Sequence, residues 1–138
     1  MLPLPAGPGS DPYNRPFPTL ATEAMATDSS TGTSVLTLTD ATFAAEVLGH
    51  EGLVLVDVWA SWCGPCRLMA PLMEWAATTY GTSLRVGKLE ADANPGTRDA
   101  YRVQGLPALL LFRNGEEVGR HEGAMAQSQL KAFLDAHL

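Results

Sequence analysis

The stretch Trp62-Cys63-Gly64-Pro65-Cys66 holds the only two cysteines of the chain, three positions apart. On a helix that spacing sets two side chains about one turn apart, with roughly 5–6 Å between Cβ atoms, and small relaxation lets a disulfide bridge them. Two thiols with no others to pair with imply a bond that opens and closes reversibly. The chemistry open to such a pair is thiol–disulfide exchange, in which a thiolate attacks a disulfide sulfur and the second thiol resolves the mixed disulfide.

The flanking elements must place these sulfurs. Leu53-Val54-Leu55-Val56-Asp57-Val58-Trp59 reads as a fully buried strand of the parallel type. Cys66 to Tyr80 reads as a helix with apolar positions at Leu68, Met69, Leu72, Met73, Trp75 and Ala76. Cys63 then stands where a strand hands over to a helix N-terminus. Unpaired N–H groups and the positive end of the helix dipole favour a thiolate there, so Cys63 is the expected nucleophile. Cys66, one turn further in, is expected to be more buried and to resolve the mixed disulfide. Pro65 fits the first helical turn, where its missing N–H costs little, and it stiffens the loop that presents Cys63.

From Val56 to Arg67 the chain, Val56-Asp57-Val58-Trp59-Ala60-Ser61-Trp62-Cys63-Gly64-Pro65-Cys66-Arg67, resembles the active-site segment of the thioredoxin family. The similarity continues through Ala70-Pro71, Lys88-Leu89, Asn94-Pro95-Gly96-Thr97, Gly105-Leu106-Pro107, Leu110-Leu111-Phe112-Arg113-Asn114-Gly115 and Gly123, in the family's order and spacing. It covers residues 35–138. A lone Cys-X-X-Cys is a weak signal, since zinc sites use it too; this string of landmarks is specific.

The remaining elements agree. Residues 35–38 read as a short strand, and Thr39 or Asp40 caps a helix through Phe43, Val47 and Leu48. A helix over 63–80 carries Pro71, which should kink it. Residues 84–91 supply a strand and 94–101 a short helix or loop. Ala108–Arg113 and 116–121 form a hairpin, because Asn114-Gly115 is a strong type I′ turn signal. Residues 127–137 make a last helix with Leu130, Phe133 and Leu134 inward. A βαβ unit followed by a ββα unit gives an α/β chain, a central mixed β-sheet flanked by helices, and this is the thioredoxin fold.

Asp57 interrupts an apolar strand, and an unpaired buried charge is costly, so the carboxyl tends to stay protonated. One reading has Lys88, on the next strand, satisfying it as an ion pair. The resemblance implies instead that Asp57 lies beneath Cys66 as its acid–base group, with Lys88 tuning its proton affinity. Pro107 reads by itself as a strand-start proline. By resemblance it is a cis-proline packed against the Cys63–Cys66 disulfide, leaving the Leu106 backbone free to pair with a substrate strand. Leucine before this proline departs from the isoleucine, valine or threonine usual in the family and keeps the site apolar. Trp62, Gly64, Pro65, Leu106, Gly123 and Ala124 would form a flat, weakly charged surface around Cys63, suited to an extended peptide bearing a disulfide. Trp59 and Trp75 read as core.

The chain has 138 residues, 46% hydrophobic and 17% charged, enough for one buried core. A formal charge of −6 argues against a general nucleic-acid binder, and no run approaches the roughly 18 apolar residues of a membrane span. Six of the ten prolines fall in residues 1–34, which read as a disordered Pro/Gly/Ser/Thr-rich extension ahead of a domain over 35–138. That start lacks the basic and apolar stretches of a secretory signal, although Ala24-Met25-Ala26 superficially resembles a cleavage site. Met25 is an alternative initiator. The missing signal and the absence of structural cysteines point to a reducing cytoplasm.

Other classes fit less well. Zinc wants four Cys or His ligands, and His50, His121 and His137 are scattered rather than paired. A non-catalytic binding module on the same fold would more naturally have lost a cysteine. A histidine between the cysteines would stabilise the reduced form and favour an oxidase or isomerase; Gly64-Pro65 brings no such charge, so a reductant is expected. The resemblance implies a monomeric protein-disulfide reductase with no bound cofactor and no metal, recharged from NADPH by a flavin-dependent thioredoxin reductase.

Overall fold

The computed structural model describes residues 34–138, and the expectations of a disordered extension and an alternative start at Met25 fall outside them. Five strands form one mixed sheet: β1 (Leu36–Leu38), β2 (Leu53–Trp59), β3 (Leu84–Glu90), β4 (Ala108–Arg113) and β5 (Glu116–Glu122). Their spatial order is β1-β3-β2-β4-β5. β3 runs parallel to β1 and β2, whereas β4 is antiparallel to both β2 and β5. Three helices accompany the sheet: α1 (Cys66–Tyr80), α2 (Pro95–Ala100) and α3 (Gln127–Asp135). A βαβ unit (β2-α1-β3) and a ββα unit (β4-β5-α3) are therefore present, and the architecture is the thioredoxin fold.

The two-residue period of a strand sorts β2 into two faces. Leu53 and Leu55 join Leu109, Leu111, Met69, Met73, Leu130 and Leu134 in a core under α1 and α3. Val54, Val56 and Val58 join Leu38, Phe43, Val47, Leu110 and Phe112 on the opposite face. Asp57 has the parity of Leu53 and Leu55, so its carboxyl lies on the face that α1 covers.

Helix α1 buries Cys66, Met69, Met73, Ala76 and Ala77. Leu68, expected inward, is 64% exposed. It lies two positions, or about 200°, round the helix from Cys66, which turns it to solvent. Pro71 sits inside α1, which runs on through it. Having no N–H, Pro71 leaves the Arg67 carbonyl without its intrahelical partner.

The segment after β1 is not a regular α-helix; it ends in a five-residue π-helical turn, Ala44–Leu48. Thr39 does cap its start, accepting from Thr42 N at 3.2 Å through Oγ1 and from Phe43 N at 2.9 Å through its carbonyl. Asp40 caps a different helix: its carboxylate accepts from the N–H groups of Gly96 and Thr97 in α2, at 3.0 and 2.7 Å. Hydrogen bonding from the Thr97 side chain first, and then from these backbone N–H groups, holds the Asp40 carboxyl below the usual aspartate range.

The β4–β5 hairpin turns at Asn114 (φ 51°) and Gly115 (φ 86°), both in the left-handed region a type I′ turn needs. A Cβ on Gly115 would lie 2.6 Å from the Leu48 carbonyl oxygen, so the position accepts only glycine. Past Leu111 the register shifts: Leu111 faces Gly119 while Phe112 faces Glu117, leaving Val118 as the extra residue of a bulge.

Candidate active site

Cys63 and Cys66 are joined by a disulfide, with their Cα atoms 5.4 Å apart. The chain reaches them by a tight turn off β2, closed by Cys63 N–H donating to the Ala60 carbonyl at 3.1 Å. Pro65 adopts helical dihedrals as the residue before α1, and Cys66 opens the helix. The Cys66 N–H has no carbonyl to meet in this first turn and donates to Cys63 Sγ at 3.3 Å. Sequence alone suggested that Cys66 would be the more buried; in this disulfide form the two residues are equally buried, each 5% exposed. Cys63 is folded inward because both cysteines pack with Ala60 against Trp59 and Leu106.

Beneath the pair, a cavity of about 380 Å³ is lined by Asp57, Cys66, Trp59, Arg67, Glu74 and Lys88 among others. Asp57 is buried, and its Oδ1 has no hydrogen-bond partner. Burial pushes the carboxyl up to about 7, partly opposed by the positive charge of Lys88. Lys88 is the register partner of Asp57 on the neighbouring parallel strand, so both side chains leave the same face of the sheet. Lys88 itself is exposed and forms no ion pair with Asp57. The reading of Asp57 as an acid satisfied by Lys88 is therefore overturned: the long lysine side chain keeps its head in water, and burial instead raises the proton affinity of the Asp57 carboxyl.

The opposite wall of the site is the Gly105–Pro107 segment. The Leu106–Pro107 peptide is cis. Leu106 packs against the cysteine cluster, and Gly123 N–H donates to the Pro107 carbonyl at 2.7 Å, tying this wall to the end of β5. Gly123 holds φ at 100°, a left-handed conformation that glycine adopts without penalty. Trp62 is 69% exposed. Gly64, Pro65 and Ala124 are exposed as well, and Leu106 and Gly123 are half-buried. Trp59 and Trp75 are half-buried, Trp75 packing on the core and Trp59 on the cysteines.

One participant has no local signal in the sequence. Asp92, in the loop after β3, accepts a hydrogen bond from Trp62 Nε1 at 2.7 Å, fixing an otherwise exposed indole beside Cys63. The two residues are 30 positions apart, and only the parallel pairing of β2 with β3 brings them together. Among the described residues, no group of three or more His, Cys, Asp or Glu side chains is arranged to hold a metal. No helix among them is long and apolar enough to cross a membrane.

A buried sulfur pair at the head of a helix, above a carboxyl whose proton affinity burial raises and beside a cis-proline wall, is built for dithiol–disulfide exchange. Residues 34–136 match the thioredoxin family profile. The chain belongs to the thioredoxin family. It is 45% identical over 104 residues to a thioredoxin of Buchnera aphidicola, covering 75% of this chain and 96% of that one. It is likewise 45% identical over 104 residues to a thioredoxin of Pseudomonas aeruginosa, with the same coverage of 75% and 96%. A thioredoxin-like protein of Synechocystis sp. is 50% identical over 105 residues, covering 76% of this chain and 96% of that protein. Membership in the thioredoxin family, together with the cysteine pair at disulfide distance, makes this protein a thiol-disulfide oxidoreductase and a reductant of protein disulfides.

The raised carboxyl has a stability consequence with a definite sign. Asp57 titrates near 3.8 unfolded and about 7 folded, so between those values the native state binds the extra proton. The ionisation cost of its burial is absent below about pH 4 and grows as pH rises to 7, reaching a few kcal/mol at full ionisation. Asp57→Asn removes that term. Denaturant unfolding of the oxidised protein at pH 5 and pH 8 should show wild type losing stability relative to Asp57→Asn at the higher pH; parallel behaviour of the two proteins would refute the buried, protonated assignment.

Proposed function

We propose that the reaction runs in two exchanges, with Cys63 as nucleophile and Cys66 as resolving thiol. The thiolate of Cys63 attacks one sulfur of a client disulfide; the client's other sulfur leaves as a thiolate and takes up a proton. Cys66 then loses its proton to Asp57 and attacks Cys63, closing the Cys63–Cys66 disulfide and releasing the second client thiol. The client disulfide gains two electrons, and the protein's dithiol gives them up.

The observation that carries the assignment is the Cys66 N–H aimed at Cys63 Sγ. That donor, at the positive end of the α1 dipole, stabilises negative charge on Cys63; Cys66, whose own N–H is the group directed at Cys63, lacks it. Cys66 therefore needs a base, and Asp57 lines the same cavity. A carboxyl poised near neutrality takes a proton and returns it at little cost, which suits acid–base work. Lys88 and the stiff Gly64-Pro65 turn tune the site, and the Pro107 wall supports the sulfur pair. The exposed surface of Trp62, Leu106, Gly123 and Ala124 receives an extended client segment, the Leu106 backbone pairing with it as a strand.

Membership of the family supports a recharging step of the following kind. A flavin-dependent thioredoxin reductase using NADPH would return the disulfide to the dithiol, so no cofactor need reside in this chain. We infer a monomer over residues 35–138, preceded by an extension of no assigned role, that carries electrons in a reducing cytoplasm.

Two experiments address the roles. A Cys66→Ser protein mixed with a disulfide-bearing peptide should accumulate a one-to-one covalent adduct that dithiothreitol dissolves, while Cys63→Ser forms none; adduct formation by Cys63→Ser would reverse the order of attack. In stopped-flow measurements at pH 7, Asp57→Asn should release the second thiol at least about tenfold more slowly, with the first exchange little changed. Unaltered release in that variant would remove Asp57 from the mechanism.

A further inference from the structure

Glu122 ends β5, directly opposite Ala108 at the start of β4 and immediately before Gly123. Its side chain does not point away from the site. Glu122 Oε1 lies 3.1 Å from where a Cβ on Gly105 would stand, so the carboxylate rests on the backbone of the wall that contains Leu106. Leu106 in turn packs on the Cys63–Cys66 cluster. A negative charge is thus held one residue along the chain from the segment that touches the disulfide.

That charge is poorly compensated. The basic group within ion-pair distance of it is Arg120, whose Nη1 is 3.8 Å from Glu122 Oε2, too far for a hydrogen bond. Arg120 is committed elsewhere: Nε donates to Glu117 at 2.6 Å, and Nη2 to Glu117 at 3.0 Å and to the Tyr101 carbonyl at 2.6 Å. Asp92, a second carboxylate near Cys63, is occupied by the Trp62 indole. The Glu122 side chain is 41% exposed and free to meet a cation arriving with a client.

We infer that Glu122 is a specificity-determining residue that favours clients carrying Lys or Arg within about two residues of the disulfide and disfavours acidic ones. The inference rests on the client-docking surface proposed above. An extended client advances about 3.3 Å per residue, so a flanking side chain one or two positions from the attacked cysteine passes over Gly105 and reaches the carboxylate. The attraction works at the rim in water, where opposite charges steer encounter and penalise wrong partners more than they add raw affinity.

The test uses three peptides, each a single cysteine in mixed disulfide with thionitrobenzoate and flanked on both sides by Lys, Gln or Glu. The second-order rate at which the reduced protein releases the coloured thiol is measured at low and high ionic strength. The readout is the Lys-to-Glu rate ratio, because a folding defect lowers both rates alike. The ratio in wild type should exceed that in Glu122→Gln by about two- to fivefold, shrink at high salt, and fall below that of Glu122→Gln in Glu122→Lys. Equal ratios in all three proteins would overturn the role of Glu122 while leaving client reduction intact. Failure of the reduced wild type to release thiol from any peptide would remove the client-reduction reading itself, and this inference with it.

Discussion

A buried carboxyl group with an unpaired oxygen, set in the cavity under the first turn of a helix, is the constraint around which this molecule is arranged. Asp57 sits on a strand whose other residues are all apolar, and its Oδ1 is unpaired. Burial raises its proton affinity until it titrates near neutral pH. Replaced by a leucine, the position would simply continue the core of Leu53 and Leu55. The protein instead carries a destabilising group at the one place where β2 passes beneath Cys66, and strand parity does the placing. A one-residue slip of β2 would turn Asp57 to the opposite face and bury Val56 or Val58 under the cysteines.

Above that carboxyl, the helix start makes two identical residues unlike. Cys63 lies outside the helix and collects the Cys66 N–H; Cys66 lies inside it and faces the cavity. The difference is in backbone geometry rather than in exposure, since both are equally buried while the disulfide is closed. The Gly105–Pro107 wall, tied to β5 through Gly123, closes the other side. The site is therefore assembled from β2, α1, the start of β4 and the end of β5, and each is fixed by the central sheet rather than by a mobile loop.

Much of this was legible in the residues. The apolar run of β2, the Asn114-Gly115 turn and the alternation of strand and helix all have local causes, and local causes leave local signals. The two cysteines and the buried position of Asp57 were legible for the same reason. What escaped was set by partners distant in sequence or by small rotations. Leu68 looked like a core leucine because the apolar residues of α1 form a broad stripe, and only the angle relative to Cys66 separates it from Met69. Asp40 looked like the cap of its own helix, yet its carboxylate reaches α2, more than 50 residues on. The Trp62–Asp92 and Glu122–Gly105 contacts depend on which strands lie side by side, and no short pattern encodes that.

The account stands on Cys63 and Cys66 forming a reversible, reducing pair, and an equilibrium redox titration tests this most directly. The purified protein is equilibrated across a series of dithiol/disulfide buffers, and free thiols are counted by alkylation mass shift, with Cys66→Ser as control. The account predicts one two-electron transition with a midpoint more reducing than the glutathione couple, absent from the control. A midpoint in the oxidising glutathione range, or no reversible transition at all, would contradict it.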